Sequence, residues 1–187
     1  MAENHFIIGL GGTGGRIIRS LRKTIFQTLR TDEPEHVNVR YLYMDSDDSM
    51  MALDDPTWKI LGHSVQLGRA SQLVIYGHDL KATLENINQY PGIKPWIGDR
   101  ALWRDILKSA HGAKVNGGQK RRLGRFLFAS KVGEFRAMIG RHVSDMTTNG
   151  DSGATFHVCC GLAGGTGSGT LIDVISNIRQ TACNVPA

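Results

Sequence analysis

Cysteine is scarce in this chain, and the little there is builds nothing. Cys159, Cys160 and Cys183 are all there are, too few and too oddly spaced for a disulfide frame or a zinc site. Cys159 and Cys160 fall in an apolar run, where small buried side chains belong. No run of about 18 apolar residues exists, so no membrane-spanning helix is expected. The start, MAENHFIIGL, lacks the basic flank and long apolar stretch of a secretory signal. Together these absences point to the cytoplasm. Aromatic residues make up 7% of the chain, and none interleave with the basic clusters at Lys120 to Arg125 and Arg16 to Lys23. With no nucleic-acid module in view, the net charge of +5 does not argue for nucleic-acid binding. A basic surface serves a triphosphate equally well. A P-loop is missing too: Gly15 and Arg16 stand where its Lys and Ser/Thr would be needed.

What is present is a globular domain of 187 residues, 41% hydrophobic, long enough for one sizeable core. HFIIGL reads as a buried strand. Ile17, Ile18, Leu21, Ile25 and Leu29 then recur at helical spacing opposite basic residues, which are expected to face solvent. TDEPEH breaks that helix, and VNVRYLYMD is a second strand ending in Asp45, Asp47 and Asp48. Strand, glycine turn, helix, strand is a parallel βαβ unit. In the middle, SVQLG and SQLVIYG read as short strands or edges, DLKATLENINQY and ALWRDILKSA as helices, and PGIKPWIG and HGAKVNGGQ as loops. A long helix is predicted from about Lys120 to Met146, with Leu123, Leu127, Val132, Phe135, Met138 and Ile139 on its apolar side. ATFHVCC is a strand, and LIDVISNIRQ a helix with Leu171, Ile172, Ile175 and Ile178 inside. The fold class is α/β, a doubly wound, mostly parallel sheet.

Glycine is where the chain is rich. Five of its 23 glycines fall between Gly161 and Gly169, although each costs more conformational entropy on folding than any other residue. The grammar of that stretch, strand then glycine turn then helix, also occurs at FIIGLGGTGGRII. Such turns aim backbone N–H groups and the positive end of a helix dipole beyond the sheet. If the two strands flank the point where strand order reverses, both turns face one crevice. Two nests of donors with no bulk between them suit a polyphosphate. Thr166 and Ser168 would add hydroxyls. Asp45 and Asp47, at the end of the second strand, could hold a phosphate-bound Mg²⁺ or a ribose hydroxyl. Lys114 and the KRR set could add positive potential. Taken singly, each feature has a plainer reading: a glycine turn is often only tight helix–strand packing, and carboxylates at a strand end are often caps. His63, His78 and His111 lack ligand spacing, and Trp58, Trp96 and Trp103 read as core or loop anchors.

Ala163, Gly164, Gly165, Thr166, Gly167, Ser168 and Gly169 together resemble the signature of the tubulin/FtsZ superfamily, and TLIDVISNIRQ is similar to the helix that follows it in tubulins. Gly11, Gly12, Thr13, Gly14 and Gly15 resemble the first phosphate loop of FtsZ, and Arg16 stands where FtsZ has an asparagine near the nucleoside. MDSDDSMM resembles the loop after the second strand, and GAKVNGGQKRRLGR, with Gly118, the loop that reaches the γ-phosphate. The matches run in family order from Phe6 to Gln180 and look closest to divergent bacterial tubulin-like proteins. The resemblance implies a Rossmann-like domain that binds GTP or GDP with Mg²⁺, to which Asp45 and Asp47 would add metal or ribose contacts. It also implies self-association of a longer protein, of which residues 1–187 are the N-terminal part. In that family an acidic loop in the later half completes hydrolysis on the neighbouring subunit, so this part alone carries no catalytic residue.

Two other classes compete. Gly9, Gly11 and Gly14 fit the G-x-G-x-x-G of an NAD(P)-dependent oxidoreductase. Against it, Asp45 lies 31 positions past Gly14, beyond the usual gap of about 20, and the second glycine loop has no task. A non-catalytic scaffold retaining the fold is the third. Valine at Gly165 is expected to abolish nucleotide binding without unfolding the domain.

Overall fold

The computed structural model describes residues 3–35, 37–76, 80–99, 103, 120–147 and 153–182. Strand β1 (Glu3–Leu10) runs into helix α1 (Gly11–Leu29), and the chain returns through β2 (Val37–Asp45). An excursion follows, carrying the short hairpin β3 (Lys59–Ile60) and β4 (His63–Ser64), before β5 (Gln72–Val74). Helices α2 (Leu80–Glu85) and α3 (Lys94–Ile97) are short, whereas α4 (Arg121–Thr147) is long. Strand β6 (Thr155–Cys160) and helix α5 (Gly165–Ala182) close the described chain.

The main sheet is ordered β5-β2-β1-β6, and every pairing in it is parallel. Successive side chains on a strand point to opposite faces, and β1 distributes them accordingly. Phe6, Ile8 and Leu10 join Leu42 and Met44 beneath α4 and α5, where Phe126, Phe135, Val174 and Ile178 complete the layer. Ile7 joins Tyr41 and Tyr43 on the other face, under Ile18 of α1 and the apolar residues Met51, Trp58, Val65 and Leu67 of the excursion. Helices therefore cover both faces, as a buried parallel sheet requires.

Several local expectations need correction. PGIKPWIG holds a helical turn, α3, because Pro95 falls in its first turn, where a missing N–H does no harm. SVQLG is not a strand beyond Ser64, although Val65 and Leu67 are buried. The basic residues of α1 do not simply face solvent. Arg22 donates from Nε to the Val65 carbonyl at 2.6 Å and lies over the Tyr41 ring, while Arg19 donates to Thr57 Oγ1 at 2.5 Å. Two of the helix's cations thus pin the β3–β4 excursion down.

Helix rotation is the larger correction. Ile172 is 74% exposed and Ile175 39% exposed. The buried face of α5 instead runs through Gly167, Thr170, Val174, Asn177 and Ile178. Its polar members are satisfied: Thr170 donates to the Thr166 carbonyl at 2.9 Å, and Asn177 both donates to the Asp173 carbonyl at 2.6 Å and accepts from Arg136 at 2.5 Å. On α1, likewise, Ile17 is 41% and Leu29 52% exposed, and the fully buried stripe is Gly11, Gly14, Gly15 and Ile18. The segments ALWRDILKSA (apart from Trp103) and HGAKVNGGQ lie outside the described residues. Among those described, no helix is long and apolar enough to cross a membrane.

Candidate functional site

Strand β1 is flanked by β2 on one side and β6 on the other, so the chain order reverses between β1 and β6. Helix α1 leaves the carboxyl end of β1 toward one face, and α5 leaves β6 toward the other, which opens a crevice where they part. A cleft of about 240 Å³ occupies it, lined by Gly11 to Thr13, Asp45 to Asp47 and Gly161 with Gly164 to Gly167. Leu10 and Met50 complete its lining.

The two glycine segments touch each other. Gly11 has φ +68, and a Cβ there would come within 3.1 Å of the Gly167 nitrogen. A Cβ on Gly167 would stand 2.9 Å from the Leu10 carbonyl oxygen, and one on Gly161 would stand 2.7 Å from Thr13 Oγ1. These three positions must be bare for the turns to meet. Gly14 and Gly15 serve helix–sheet packing, Gly14 against Gly9 and the Cys159 carbonyl and Gly15 against the Tyr43 ring. Gly169 packs on the Arg121 backbone of α4. Gly12 and Gly164 differ. A Cβ on Gly12 would meet only Asp45 Oδ2, at 4.0 Å, and one on Gly164 would meet nothing within 4 Å. Those two glycines leave space rather than fill it.

Both helices begin without a competing anion. Leu10 caps α1 with no side-chain hydrogen bond, and neither α1 nor α5 has an acidic residue in its first turn. The first N–H groups of a helix have no intrahelical partner, so two sets of donors converge on one cleft.

Its third wall is acidic. Asp45 is buried. Its Oδ2 accepts from the Tyr43 hydroxyl at 3.0 Å, and its Oδ1 from the Ser46 N–H at 2.7 Å and, more weakly, the Asp47 N–H at 3.4 Å. Burial pushes its pKa above the ordinary carboxylate value, against the pull of those donors and of Thr166. Ser46 Oγ and Thr166 Oγ1 share a buried hydrogen bond of 2.8 Å that ties the end of β2 to the first turn of α5. Asp47 is exposed at the rim, its Oδ1 accepting from the Ser49 N–H at 3.0 Å. From behind, Arg121 donates to the Leu162 carbonyl at 3.0 Å, while Arg125 makes paired bonds of 2.6 and 2.9 Å to Asp173 and lies over Trp96. The start of α4 thereby grips both the second glycine turn and the helix after it.

Of the residues singled out from sequence, Gly11, Gly12, Thr13, Asp45, Asp47, Gly164, Gly165, Thr166 and Gly167 line the cleft. Arg16 and Ala163 are exposed and outside its lining. The Ser168 hydroxyl donates to the Gly164 carbonyl, within its own helix. Gly165 is buried, and its carbonyl lies where a Cβ on Gly124 of α4 would fall. Gly118 and Lys114 lie outside the described residues. Sequence reasoning passed over Ser46 and Tyr43. A hydroxyl between two strand-end carboxylates and a tyrosine two residues before an aspartate were the available signals.

Among the described residues, no three His, Cys, Asp or Glu side chains converge to hold a metal. One buried carboxylate, a second at the rim and nearby hydroxyls fit a Mg²⁺ that arrives with phosphate, since that ion commonly takes one or two carboxylates and completes its shell with phosphate and water.

No curated protein matches the chain, and no solved structure does. A sequence profile described as tubulin-like matches residues 6–184, a span that takes in the whole sheet from Phe6 of β1, both glycine turns and α5. By that match, the chain belongs to the tubulin-like family.

Proposed function

We propose that the chain binds a guanine nucleotide, GTP or GDP, with Mg²⁺ in the cleft between α1 and α5. The observation that carries this reading is the meeting of two glycine-rich helix N-termini, neither with an acidic residue in its first turn, beside a buried carboxylate at the point where the strand order reverses. Phosphate oxygens would take the N–H groups of the Gly11–Thr13 and Gly164–Gly167 segments, in the space Gly12 and Gly164 leave open. The cation would sit toward Asp45 and Asp47, neutralising phosphate charge. Guanine is preferred over other bases on the family resemblance. In the same reading the protein is cytoplasmic and self-associates.

Equilibrium binding of GTP, ATP and NAD, with and without Mg²⁺, tests it, with Gly12→Val as the control. The valine branches have room to fold but would fill the cleft beside Asp45, so GTP affinity should fall by tenfold or more with the melting temperature almost unchanged. GTP bound equally well by Gly12→Val would put the phosphates elsewhere. NAD binding in place of GTP would favour the oxidoreductase reading. A folded protein that binds none of the three would leave the scaffold reading.

A further inference from the structure

Tyr43 is wholly buried on the α1 side of the sheet, in the same alternation as Asp45 two residues later. Its ring lies under the first turn of α1, in space that exists because residue 15 is glycine. A Cβ at Gly15 would stand 2.7 Å from the Tyr43 hydroxyl oxygen and overlap the ring. From that slot the hydroxyl donates to Asp45 Oδ2, the oxygen that also faces Gly12 across the cleft. Ser46 fixes the other oxygen. The carboxylate is therefore aimed by two donors, one of them fixed by the packing of the tyrosine ring.

We infer that Tyr43 is a positioning residue, which holds the Asp45 carboxylate toward the cation of the bound nucleotide, and that Gly15 serves this arrangement by admitting the tyrosine ring rather than by approaching phosphate. The inference rests on the nucleotide-binding reading and deepens it. A buried aspartate with one donor removed gains rotamers that turn Oδ2 away from the cleft, and a cation then binds a less prepared ligand. A hydrogen bond to a charged group contributes enough to change an equilibrium by about tenfold.

The test is Mg²⁺ titration of GTP binding by the wild type, Tyr43→Phe, Asp45→Asn and the double variant. Phenylalanine keeps the ring in its slot and removes the donor alone, so folding, checked by thermal melting, should persist. Tyr43→Phe should need about tenfold more Mg²⁺ for half-maximal binding, with GTP affinity in EDTA unchanged. In the Asp45→Asn background the same change should do nothing further, because the carboxylate that the hydroxyl aims is gone. That coupling is what a purely packing tyrosine would not produce. A Tyr43→Phe titration that overlays the wild type while Asp45→Asn is shifted overturns the inference and leaves nucleotide binding intact. So does a Tyr43 effect of equal size in both backgrounds, or one equally large in EDTA. A wild type that binds no GTP removes the underlying reading and this inference with it.

Discussion

His142 lies on α4 with its ring centroid 5.0 Å from that of Phe6, at the edge of the core. Burial holds its pKa below the ordinary 6.5, helped by the charges of Arg40 and Arg141 and opposed by a hydrogen bond with the Ala70 backbone and by Asp145. The fold thus prefers the neutral ring. A depressed histidine contributes stability that is fully present above 6.5 and is lost as the pH falls through that value toward the folded pKa. Urea midpoints measured across this window should fall more steeply for the wild type than for His142→Gln, so that the gap between them changes in the variant's favour on acidification. A gap that stays constant would show that this ring does not titrate differently in the two states. The residue scale also shows what a sequence withholds. Asp45 was legible as a site residue because it ends a strand. Its partner Tyr43 was not, because a tyrosine in a strand reads equally well as core until the glycine beneath α1 is seen to make room for it.

At the scale of elements, the same residue type acts in opposite senses along α4 and α5. A Cβ on Gly169 would strike the Arg121 carbonyl, and one on Gly124 the Gly165 carbonyl, so the two helices cross on bare backbone. Gly133, on the outer side of α4, has nothing within 4 Å. Gly169→Ala should therefore destabilise the fold by about 1–3 kcal/mol, the usual range for overpacking. Gly133→Ala should stabilise it by roughly 0.5–1 kcal/mol, as expected for removing glycine from an exposed helix interior. Chemical denaturation of both variants checks the pair. Equal effects of one sign would mean that the crossing has room for a Cβ at Gly169. Elements of this kind were only half legible. Alternation and helical periodicity located β1, β2, β6, α1, α4 and α5 from the sequence, because those patterns depend on nearby residues. The rotation of α1 and α5 was not recoverable that way. Beside Ile18, Val174 and Ile178, their inward faces carry Gly11, Gly14 and Gly15 on one helix and Thr170 and Asn177 on the other, residues that an apolar stripe leaves out. Glycine goes inward here to let backbones approach, and the polar pair goes inward because Asp173, Arg136 and Thr166 satisfy it.

For the whole molecule, the cleft draws on three separate stretches of chain: the turn after β1, the end of β2 and the turn after β6. Within the protein alone, the Ser46–Thr166 hydroxyl pair ties the second stretch to the third, and Gly11 packs against Gly167 between the first and the third. A ligand that bonds all three would add to these ties and would stabilise the native state by mass action. At a ligand concentration of about 100 times Kd, that stabilisation is about 2.7 kcal/mol. For a domain of about 150–250 residues, each kcal/mol shifts Tm by roughly 2–4 °C, so saturating GTP with Mg²⁺ should raise Tm by roughly 5–10 °C. EDTA should cut the rise, since the acidic wall would then repel phosphate. Amide hydrogen exchange should place the added protection in Gly11 to Thr13 and Gly164 to Gly167 and leave the β3–β4 hairpin unchanged, because that hairpin contributes nothing to the cleft. If Tm rises while protection instead appears at the hairpin, a nucleotide binds but on a different surface. If neither moves for a folded protein at millimolar GTP, the two glycine turns meet for the sake of packing alone.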